Sequence, residues 1–320
     1  MNNILIIGAG QLGSRHLQGA LLSRTELNIT VVDPSQESLN VARERALEVK
    51  YGNPHSTVSY KTAMPNNKTI NICIVATTAN VRAIVTKQLL LTNEVKQIIF
   101  EKVLFQKLAE YKEVIQLLRD KNTVGWVNCP RRLYSTYVML KQHLDRSKPI
   151  HMKVSGSAWG MACNSIHFLD IFSYLVGDSS IELMESRLDD EMKESKRPGF
   201  YETTGELKFT SGIHSIVVQS VVTGTVEHIV SFENEQLKCI LNELRGTCTL
   251  TIGDDEKQFK HTALYQSKLT GIYIDDLLSS NKCQLTPFEQ SCEQHIPFIT
   301  ALLSHMSEVL NKRIDVCPIT

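Results

Sequence analysis

The sequence has little of the features that would assign it to a specialised class of protein. Basic and acidic residues balance, with 34 Lys and Arg against 34 Asp and Glu, so charge does not indicate a nucleic-acid partner. No apolar run approaches the roughly 20 residues that span a bilayer, and no basic leader with a cleavage site opens the sequence. We therefore expect a cytoplasmic protein that does not cross a membrane.

Cysteine is present without a pattern. The eight cysteines are scattered singly, and none lies in a Cys-x-x-Cys motif, so the sequence indicates neither a zinc site nor a disulfide framework. We expect no metal in the functional site. The chain has 320 residues, of which 42% are hydrophobic and 21% charged, which is an ordinary globular composition and enough for two domains.

A glycine motif near the beginning of the chain is the first functional signal. It follows the apolar run Ile4–Ile7 and precedes a helix-like stretch. In this pattern the first glycine permits a tight turn, the second lets the backbone approach a pyrophosphate, and the third lets the helix pack closely on the sheet. The N–H groups of the helix then hold the phosphates. The cofactor-binding residues predicted at this turn are Gly8, Gly10, Gln11, Leu12 and Gly13.

Asp33 ends a second apolar run, twenty residues after Gly13. A carboxylate at this position accepts hydrogen bonds from the adenosine ribose and repels a 2′-phosphate. No basic residue follows until Arg43, so the sequence favours NAD over NADP. The alternative is that Asp33 only closes a turn and caps the next helix.

The first 127 residues alternate strand and helix signals. Short apolar runs indicate strands at Ile4–Ile7, Ile29–Val32, Ile70–Ala76, Ile98–Phe100 and Val124–Val127, with a weaker signal at Ser56–Tyr60. Helical patterns lie between them at Leu12–Leu22, Gln36–Leu47, Val81–Leu91 and Leu108–Arg119. Repeated strand–helix units predict an α/β Rossmann domain over residues 1–127, with a doubly wound parallel sheet.

From about residue 128 the pattern changes to that of an α+β domain. One helix is predicted at Ser165–Val176 and another at Phe298–Val309. Between them, β-rich segments occur at Glu206–Thr210, Ile213–Val222, Glu227–Phe232, Leu237–Ile240 and Thr247–Ile252. Turn residues separate these segments, so we expect an open, mainly antiparallel sheet in a substrate-binding and oligomerisation domain over residues 128–320.

One face of this sheet is expected to associate with another copy of the chain. A sheet with helices on one side leaves its other face uncovered, and we expect that face to be partly apolar at Ile213, Ile216, Val218, Val221 and Val222. An apolar patch of this kind usually marks association. The sequence thus predicts a homo-oligomer.

Four segments, in order along the chain, resemble the glucose–fructose oxidoreductase / myo-inositol dehydrogenase (Gfo/Idh/MocA) family. The first is the glycine motif with Asp33, and the second is Val75–Asn80. The third, Phe100–Leu104, resembles the family's Glu-Lys-Pro motif, and the fourth, Asn164–Gly177, resembles its helix with a catalytic His and Asp. Val103 replaces the usual proline, and Cys163 stands where many members have aspartate, so the chain is similar to a divergent subgroup.

The resemblance implies roles for particular residues. Additional cofactor contacts are implied for Thr77, Thr78, Asn80, Glu101 and Lys102. Catalytic roles are implied for Lys102, His167 and Asp170, and substrate contacts for Lys102, Arg132, Asn164 and His167. The family often places a substrate-contacting arginine where Arg132 stands, and packing between domains is the alternative for this residue.

The residues themselves are consistent with these roles. Lys102 follows a central parallel strand, and ligands of such sheets bind outside the carboxyl ends of the strands. His167 and Asp170 lie three residues apart on one face of a predicted helix, so we expect His167 and Lys102 to reach one substrate oxygen. Alternatively, His167 is a structural histidine and Lys102 is a solvated lysine at a strand end.

These observations predict an NAD-dependent oxidoreductase that transfers a hydride between nicotinamide and a carbinol or carbonyl of a sugar, sugar nucleotide or polyol. His167 is the expected general base, and Lys102 is expected to polarise the oxygen. One alternative is a catalytically silent NAD-binding sensor or assembly protein, because Val103 and Cys163 depart from the family pattern. Another is an oxidoreductase of a non-carbohydrate substrate such as a tetrapyrrole or a dihydrodiol.

Overall fold

The computed structural model describes residues 2–195 and 197–320 and divides into two compact units. The first unit contains Met1–Phe105, Ala109–Pro130 and Leu264–Glu289. The second unit contains Gln106–Leu108, Arg131–Ala263 and Gln290–Thr320. The first unit also includes a segment near the end of the chain, a return that the sequence patterns did not indicate.

The first unit is built on a seven-stranded sheet. Its strands are β1 (Asn2–Ile7), β2 (Leu27–Val32), β3 (Thr57–Lys61), β4 (Thr69–Val75), β5 (Glu94–Phe100), β6 (Val124–Val127) and β17 (Thr286–Pro287), in the order β17-β6-β5-β4-β1-β2-β3. Its helices are α1 (Gln11–Ala20), α2 (Gln36–Leu47), α3 (Ala79–Thr92), α4 (Leu108–Asp120) and α7 (Gln266–Ser280). Strands β1–β6 are mutually parallel, so the predicted Rossmann architecture is confirmed.

The returning segment is joined to this unit by close packing and by strand pairing. Helix α7 crosses α1 so closely that a Cβ at Gly271 would lie 2.6 Å from the carbonyl oxygen of Gly19. Strand β17 pairs antiparallel with β6, with Thr286 opposite Val127. Both contacts join residues that are far apart in sequence, and local periodicity cannot reveal contacts of that kind.

The second unit is built on an eight-stranded sheet. Its strands are β7 (His151–Ser157), β8 (Glu182–Leu188), β11 (Gly205–Ser211), β12 (His214–Val221), β13 (Glu227–Glu233), β14 (Leu237–Asn242), β15 (Thr247–Ile252) and β16 (Asp255–Lys260), in the order β16-β15-β14-β13-β7-β12-β11-β8. Strands β9 (Lys193–Glu194) and β10 (Tyr201–Glu202) form a separate pair. Among the described strands of this sheet, β7 and β12 alone pair parallel, which confirms a mainly antiparallel sheet.

Among the described residues, the α-helices that lie mainly in the second unit are α5 (Ser135–His143), α6 (Met161–Val176) and α8 (Phe288–Val309). Helix α6 begins four residues before the predicted Ser165 and ends where predicted, and α8 begins ten residues before the predicted Phe298. Across residues 2–195 and 197–320, no helix is both long and apolar enough to cross a membrane.

The prediction of an apolar patch on the uncovered sheet face is wrong, because not all of the predicted residues are exposed. Ile216 and Val218 are fully buried, because alternate residues of β12 point to opposite faces and these two point into the core. Ile213, Val221 and Val222 are exposed, but they lie at the two ends of β12. The homo-oligomer stays a prediction, without the continuous apolar stripe that was expected to support it.

Candidate cofactor and catalytic site

The three glycines of the motif lie in different structural environments. Gly8 has φ +96°, and a Cβ there would lie 2.9 Å from the Ala76 carbonyl carbon. A Cβ on Gly13 would lie 1.8 Å from the Gly8 carbonyl oxygen, so no side chain fits. A Cβ on Gly10 would meet nothing within 4 Å. Two glycines are therefore required by packing, whereas Gly10 faces open space of the kind that a pyrophosphate needs.

Asp33 lies directly against the glycine turn. Its Oδ2 accepts a hydrogen bond from the N–H of Ala9 at 2.7 Å, and its Oδ1 accepts one from the N–H of Ser35 at 2.8 Å. The N-cap of α2 is Ser35, whose hydroxyl accepts from the N–H of Ser38 at 3.2 Å. Asp33 thus does close a turn, whereas the capping of α2 belongs to Ser35.

The first turn of α1 supplies further donors for an anion. The N–H groups at the beginning of a helix have no partner within the helix, and they favour negative charge. Gln11 is exposed there and Leu12 is half-buried. Arg45 of α2, which the sequence analysis did not identify, donates to the Gln11 side-chain oxygen at 2.7 Å and to the Ser14 hydroxyl at 2.6 Å. A permanent positive charge therefore lies beside the glycine turn.

Thr77, Thr78 and Asn80 follow the carboxyl end of β4. Thr78 is the N-cap of α3 and Asn80 is exposed in the first turn of that helix. Within the described part of the chain, the buried hydroxyl of Thr77 has no hydrogen-bond partner. A buried polar atom normally has a partner, so this hydroxyl is consistent with a cofactor bound at the strand ends. Together with the open space at Gly10, it indicates that these residues fit a dinucleotide.

Glu101 lies in a buried polar network. Its Oε1 is 2.7 Å from His16 Nε2 and accepts a hydrogen bond from the Asn128 amide at 2.5 Å. His16 is fully buried, and its other ring nitrogen lies 3.0 Å from the Thr270 hydroxyl. The sequence does not predict this network, because His16, Asn128 and Thr270 come from three distant segments. Lys102, which follows Glu101, is half-buried, and its peptide bond to Val103 is cis.

Helix α6 presents the residues predicted for the substrate side. His167 and Cys163 are half-buried and lie four residues apart, hence on one face. The Asn164 amide donates to the Trp159 carbonyl at 2.9 Å and so stabilises the beginning of the helix. The N-cap is Gly160, in a left-handed conformation.

Asp170 and Arg132 bind each other. The Arg132 guanidinium donates to both Asp170 carboxylate oxygens, at 2.7 and 2.8 Å. The Asp170 side chain is fully buried and that of Arg132 is 10% exposed. Arg132 thus binds a carboxylate of the protein itself through two parallel hydrogen bonds.

A second buried ion pair lies beside the first. Arg131 donates to both carboxylate oxygens of Glu243, which also accepts from the Tyr137 hydroxyl at 2.6 Å and lies 3.3 Å from His228 Nε2. Burial by itself would raise the pKa of Glu243, but the charge of Arg131 and these hydrogen bonds hold that pKa well below its usual value. The Arg131 guanidinium also lies 4.6 Å from the centre of the Phe168 ring on α6.

Metal-binding residue types do not cluster in the described residues. Among residues 2–195 and 197–320, no group of three His, Cys, Asp or Glu side chains is arranged to hold a metal ion.

Most of the first unit matches a known family of domains. Residues 2–129 match the Gfo/Idh/MocA family model, described as an oxidoreductase family with an NAD-binding Rossmann fold. Residues 2–129 thus form a nucleotide-binding domain of this oxidoreductase family. No curated protein matches the sequence.

Solved structures share the fold over nearly the whole chain. Biliverdin reductase from Synechocystis sp. PCC 6803, in complex with biliverdin and NADP+, has a TM-score of 0.69 at 14% identity, covering 93% of this chain and 98% of its own. UDP-N-acetylglucosamine 3-dehydrogenase from Acidithiobacillus ferrooxidans has a TM-score of 0.65 at 13% identity, covering 99% and 98%. An oxidoreductase from Agrobacterium radiobacter, in complex with NAD+, L-tartaric acid and magnesium, has a TM-score of 0.69 at 12% identity, covering 96% and 97%. At these identities the likeness shows the fold alone.

Proposed function

We propose that this protein is an NAD-dependent dehydrogenase or reductase that acts on a carbinol or carbonyl of a sugar, sugar nucleotide or polyol. The observation that carries the proposal is the Asp33 carboxylate 2.7 Å from the Ala9 N–H, within a glycine turn that is open at Gly10. This arrangement suits a ribose and a pyrophosphate, and the family is one of oxidoreductases.

NAD is the cofactor that the charge at this turn supports. A 2′-phosphate on the adenosine ribose would approach the Asp33 carboxylate, and the two negative charges would repel each other. Arg45 of α2 also lies at this turn, but its guanidinium donates to Gln11 and Ser14 of α1. The fold itself accepts either cofactor, since structurally similar proteins were solved with NADP+ and with NAD+.

On the substrate side, the proposal assigns the proton transfer to His167 and the oxygen contact to Lys102. When bound, the nicotinamide supplies the hydride acceptor or donor. His167 takes the hydroxyl proton as the carbinol is oxidised, and the Lys102 ammonium stabilises the negative charge that develops on the oxygen. Asn164 and Arg132 are proposed as substrate contacts in addition to their hydrogen bonds to Trp159 and Asp170.

For Asp170 the proposal adds a structural role to the catalytic one that the resemblance implies. Both of its oxygens accept hydrogen bonds from Arg132, so in the proposal it fixes α6 and thereby the direction of His167. It is a positioning residue, because an anion held in this way stabilises one placement of the helix.

Two measurements test the proposal. Fluorescence titration with NADH and NADPH is expected to show tighter binding of NADH, and Asp33→Ser is expected to reduce that difference because it removes the charge. Turnover is then screened against sugars, nucleotide sugars and acidic sugars. Equal or tighter binding of NADPH contradicts the role of Asp33, and NADH binding without turnover of any carbohydrate contradicts the proposed substrate class.

Two specific observations favour other candidate functions, and the same screen tests them. Cys163 is half-buried on the same face of α6 as His167, at a position where an acid is usual in the family, which favours a catalytically silent NAD-binding protein. The fold is also similar to that of a biliverdin reductase, which favours a tetrapyrrole. Adding biliverdin to the panel separates the second possibility, and complete absence of turnover with intact NADH binding supports the first.

A further inference from the structure

The turn that carries Lys102 is fixed on its N-terminal side by buried hydrogen bonds. Strand β5 ends at Phe100, and residues Glu101–Leu104 form what we call the lysine turn. Glu101 is 3% exposed and is joined to His16 of α1 at 2.7 Å and to Asn128 after β6 at 2.5 Å. The residue before Lys102 therefore cannot shift without breaking two contacts to a buried carboxylate.

Arg82 of α3 fixes the other side of the same turn. Its guanidinium donates to the main-chain carbonyls of Val103 and Leu104, the latter at 3.0 Å, and also to the carbonyl of Thr77. Arg82 is 1% exposed and is the largest fully buried side chain of the described residues. One guanidinium thus joins the lysine turn after β5 to the strand end after β4, where the Thr77 hydroxyl has no hydrogen-bond partner among the described residues.

The chemistry of arginine makes this connection rigid. A guanidinium is always charged and presents its donors in a fixed planar fork, so carbonyls that accept from it must keep their relative positions. A buried charge that loses its acceptors is strongly unfavourable. A displacement of the lysine turn relative to Thr77 would remove acceptors from Arg82, and the buried charge therefore opposes that displacement.

We propose that Arg82 is a positioning residue that sets the place of Lys102 by locking the lysine turn to the Thr77 segment. The proposal rests on the proposed function only insofar as Lys102 contacts substrate. It also gives a role to Arg82, a buried arginine that belongs neither to the glycine motif nor to α6. Arg82 acts through main-chain carbonyls and touches neither the glycine turn nor Asp33 in the described contacts.

The first experiment needs no substrate. Native protein is labelled with an amine-acylating reagent, and the rates at Lys102 and at the exposed Lys112 are read by mass spectrometry. We expect Arg82→Lys, which keeps the charge but loses the fork, to change the rate at Lys102 about threefold or more, since reactivity follows local exposure. The rate at Lys112 is expected to be unchanged.

Arg119→Gln, which removes an exposed ion pair to Glu289, is the matched control and is expected to leave the labelling rate at Lys102 unaffected. An unchanged Lys102 rate in a folded Arg82 variant overturns the proposal, and so does an equal change at both lysines.

The second experiment is a double-mutant cycle with a turned-over substrate. Arg82→Lys is expected to lower kcat about 10- to 100-fold, the effect of misplacing a catalytic group by about 1 Å, with NADH affinity changed far less. In a Lys102→Ala background the same substitution is expected to have little further effect, because a residue that acts through Lys102 loses its influence with it. Additive losses overturn the proposal. If Lys102→Ala alone leaves turnover unchanged, the proposed function is wrong, while the labelling result still decides the positioning role.

A variant that fails to fold does not end the test. Arg82→Gln is uncharged and retains an amide that donates two hydrogen bonds, so it replaces Arg82→Lys if the latter does not fold. Circular dichroism and thermal unfolding establish folding before either experiment. Arg82→Gln is expected to alter Lys102 labelling in the same way, because two donors cannot satisfy three separate carbonyls, and labelling identical to that of the unsubstituted protein overturns the proposal.

Discussion

The guanidinium of Arg132 binds the carboxylate of Asp170 through two hydrogen bonds, at 2.7 and 2.8 Å, with the Asp170 side chain fully buried. The pair joins the short 3-10 helix Pro130–Leu133 to α6, one turn beyond His167. A bidentate buried pair fixes both partners in one geometry. A contact that the helix pattern alone does not show therefore holds α6 at the turn after His167.

Breaking this pair is expected to destabilise the protein by roughly 3–5 kcal/mol, because one charge is left buried without its partner. We predict that loss for both Arg132→Ala and Asp170→Asn, measured as the free energy of unfolding in urea. The double substitution Arg132→Met with Asp170→Leu is expected to be less harmful than the sum of the single changes, since no buried charge remains. Additive losses would show that the two side chains do not act as a pair.

Substitution of two motif glycines by alanine is expected to separate packing from cofactor binding. Gly13→Ala places a Cβ 1.8 Å from the Gly8 carbonyl oxygen and is expected to destabilise the fold by about 1–3 kcal/mol or more. Gly10→Ala meets no atom within 4 Å and is expected to change stability by no more than about 0.5 kcal/mol. Gly10→Ala should instead weaken NADH binding, because its methyl group occupies space that a pyrophosphate approaches. Thermal unfolding and NADH titration measure the two effects, and unimpaired NADH binding by Gly10→Ala would contradict the proposed phosphate site.

Lys102→Ala and His167→Ala are each expected to reduce turnover about 10²- to 10⁴-fold, the usual effect of a positioned acid or base. NADH affinity is expected to change little, because the proposed contacts to adenosine and pyrophosphate come from the glycine turn and Asp33. Steady-state kinetics with the substrate found in the screen, together with fluorescence titration, measures both quantities. Cys163→Ser is the control substitution for His167→Ala, because Cys163 lies on the same face of α6 and has no assigned role. Full activity of His167→Ala would show that His167 is a structural histidine.

Glu243 is expected to make stability depend on acidic pH. Its folded-state pKa lies well below the value of about 4.3 that a glutamate has in an unfolded chain. The ionised carboxylate therefore stabilises the fold fully above that unfolded value, and the contribution is lost as the pH falls through the folded pKa. In urea unfolding between about pH 7 and pH 3, Glu243→Gln should be less stable at neutral pH and should lose less stability on acidification. Parallel pH profiles for the two proteins would contradict the low pKa.

The structure also explains which elements the sequence did not predict. Strand β8 is exposed along nearly its whole length, and β16, with the sequence Asp-Glu-Lys-Gln-Phe-Lys, carries charge on both faces. These are the two edge strands of the sheet, where charged side chains prevent pairing with other chains. Edge strands therefore lack the alternating apolar pattern by which β12 could be predicted.

Within the first unit, the sequence by itself determined the parallel sheet, the glycine turn and Asp33, because these depend on local features: buried strands read as apolar runs and only glycine fits at Gly8 and Gly13. Helix α6 and its His–Asp face were predicted for the same reason, since helical spacing is local.

Only the tertiary structure decided which charges meet. Arg82 reaches carbonyls on two strand ends, His16 meets Glu101, and Arg132 binds the buried carboxylate of Asp170. It likewise brought α7 and β17 back to the first unit. Each of these contacts joins segments that are distant in the chain, and a buried charge chooses its partner by the geometry of packing, which no local pattern records.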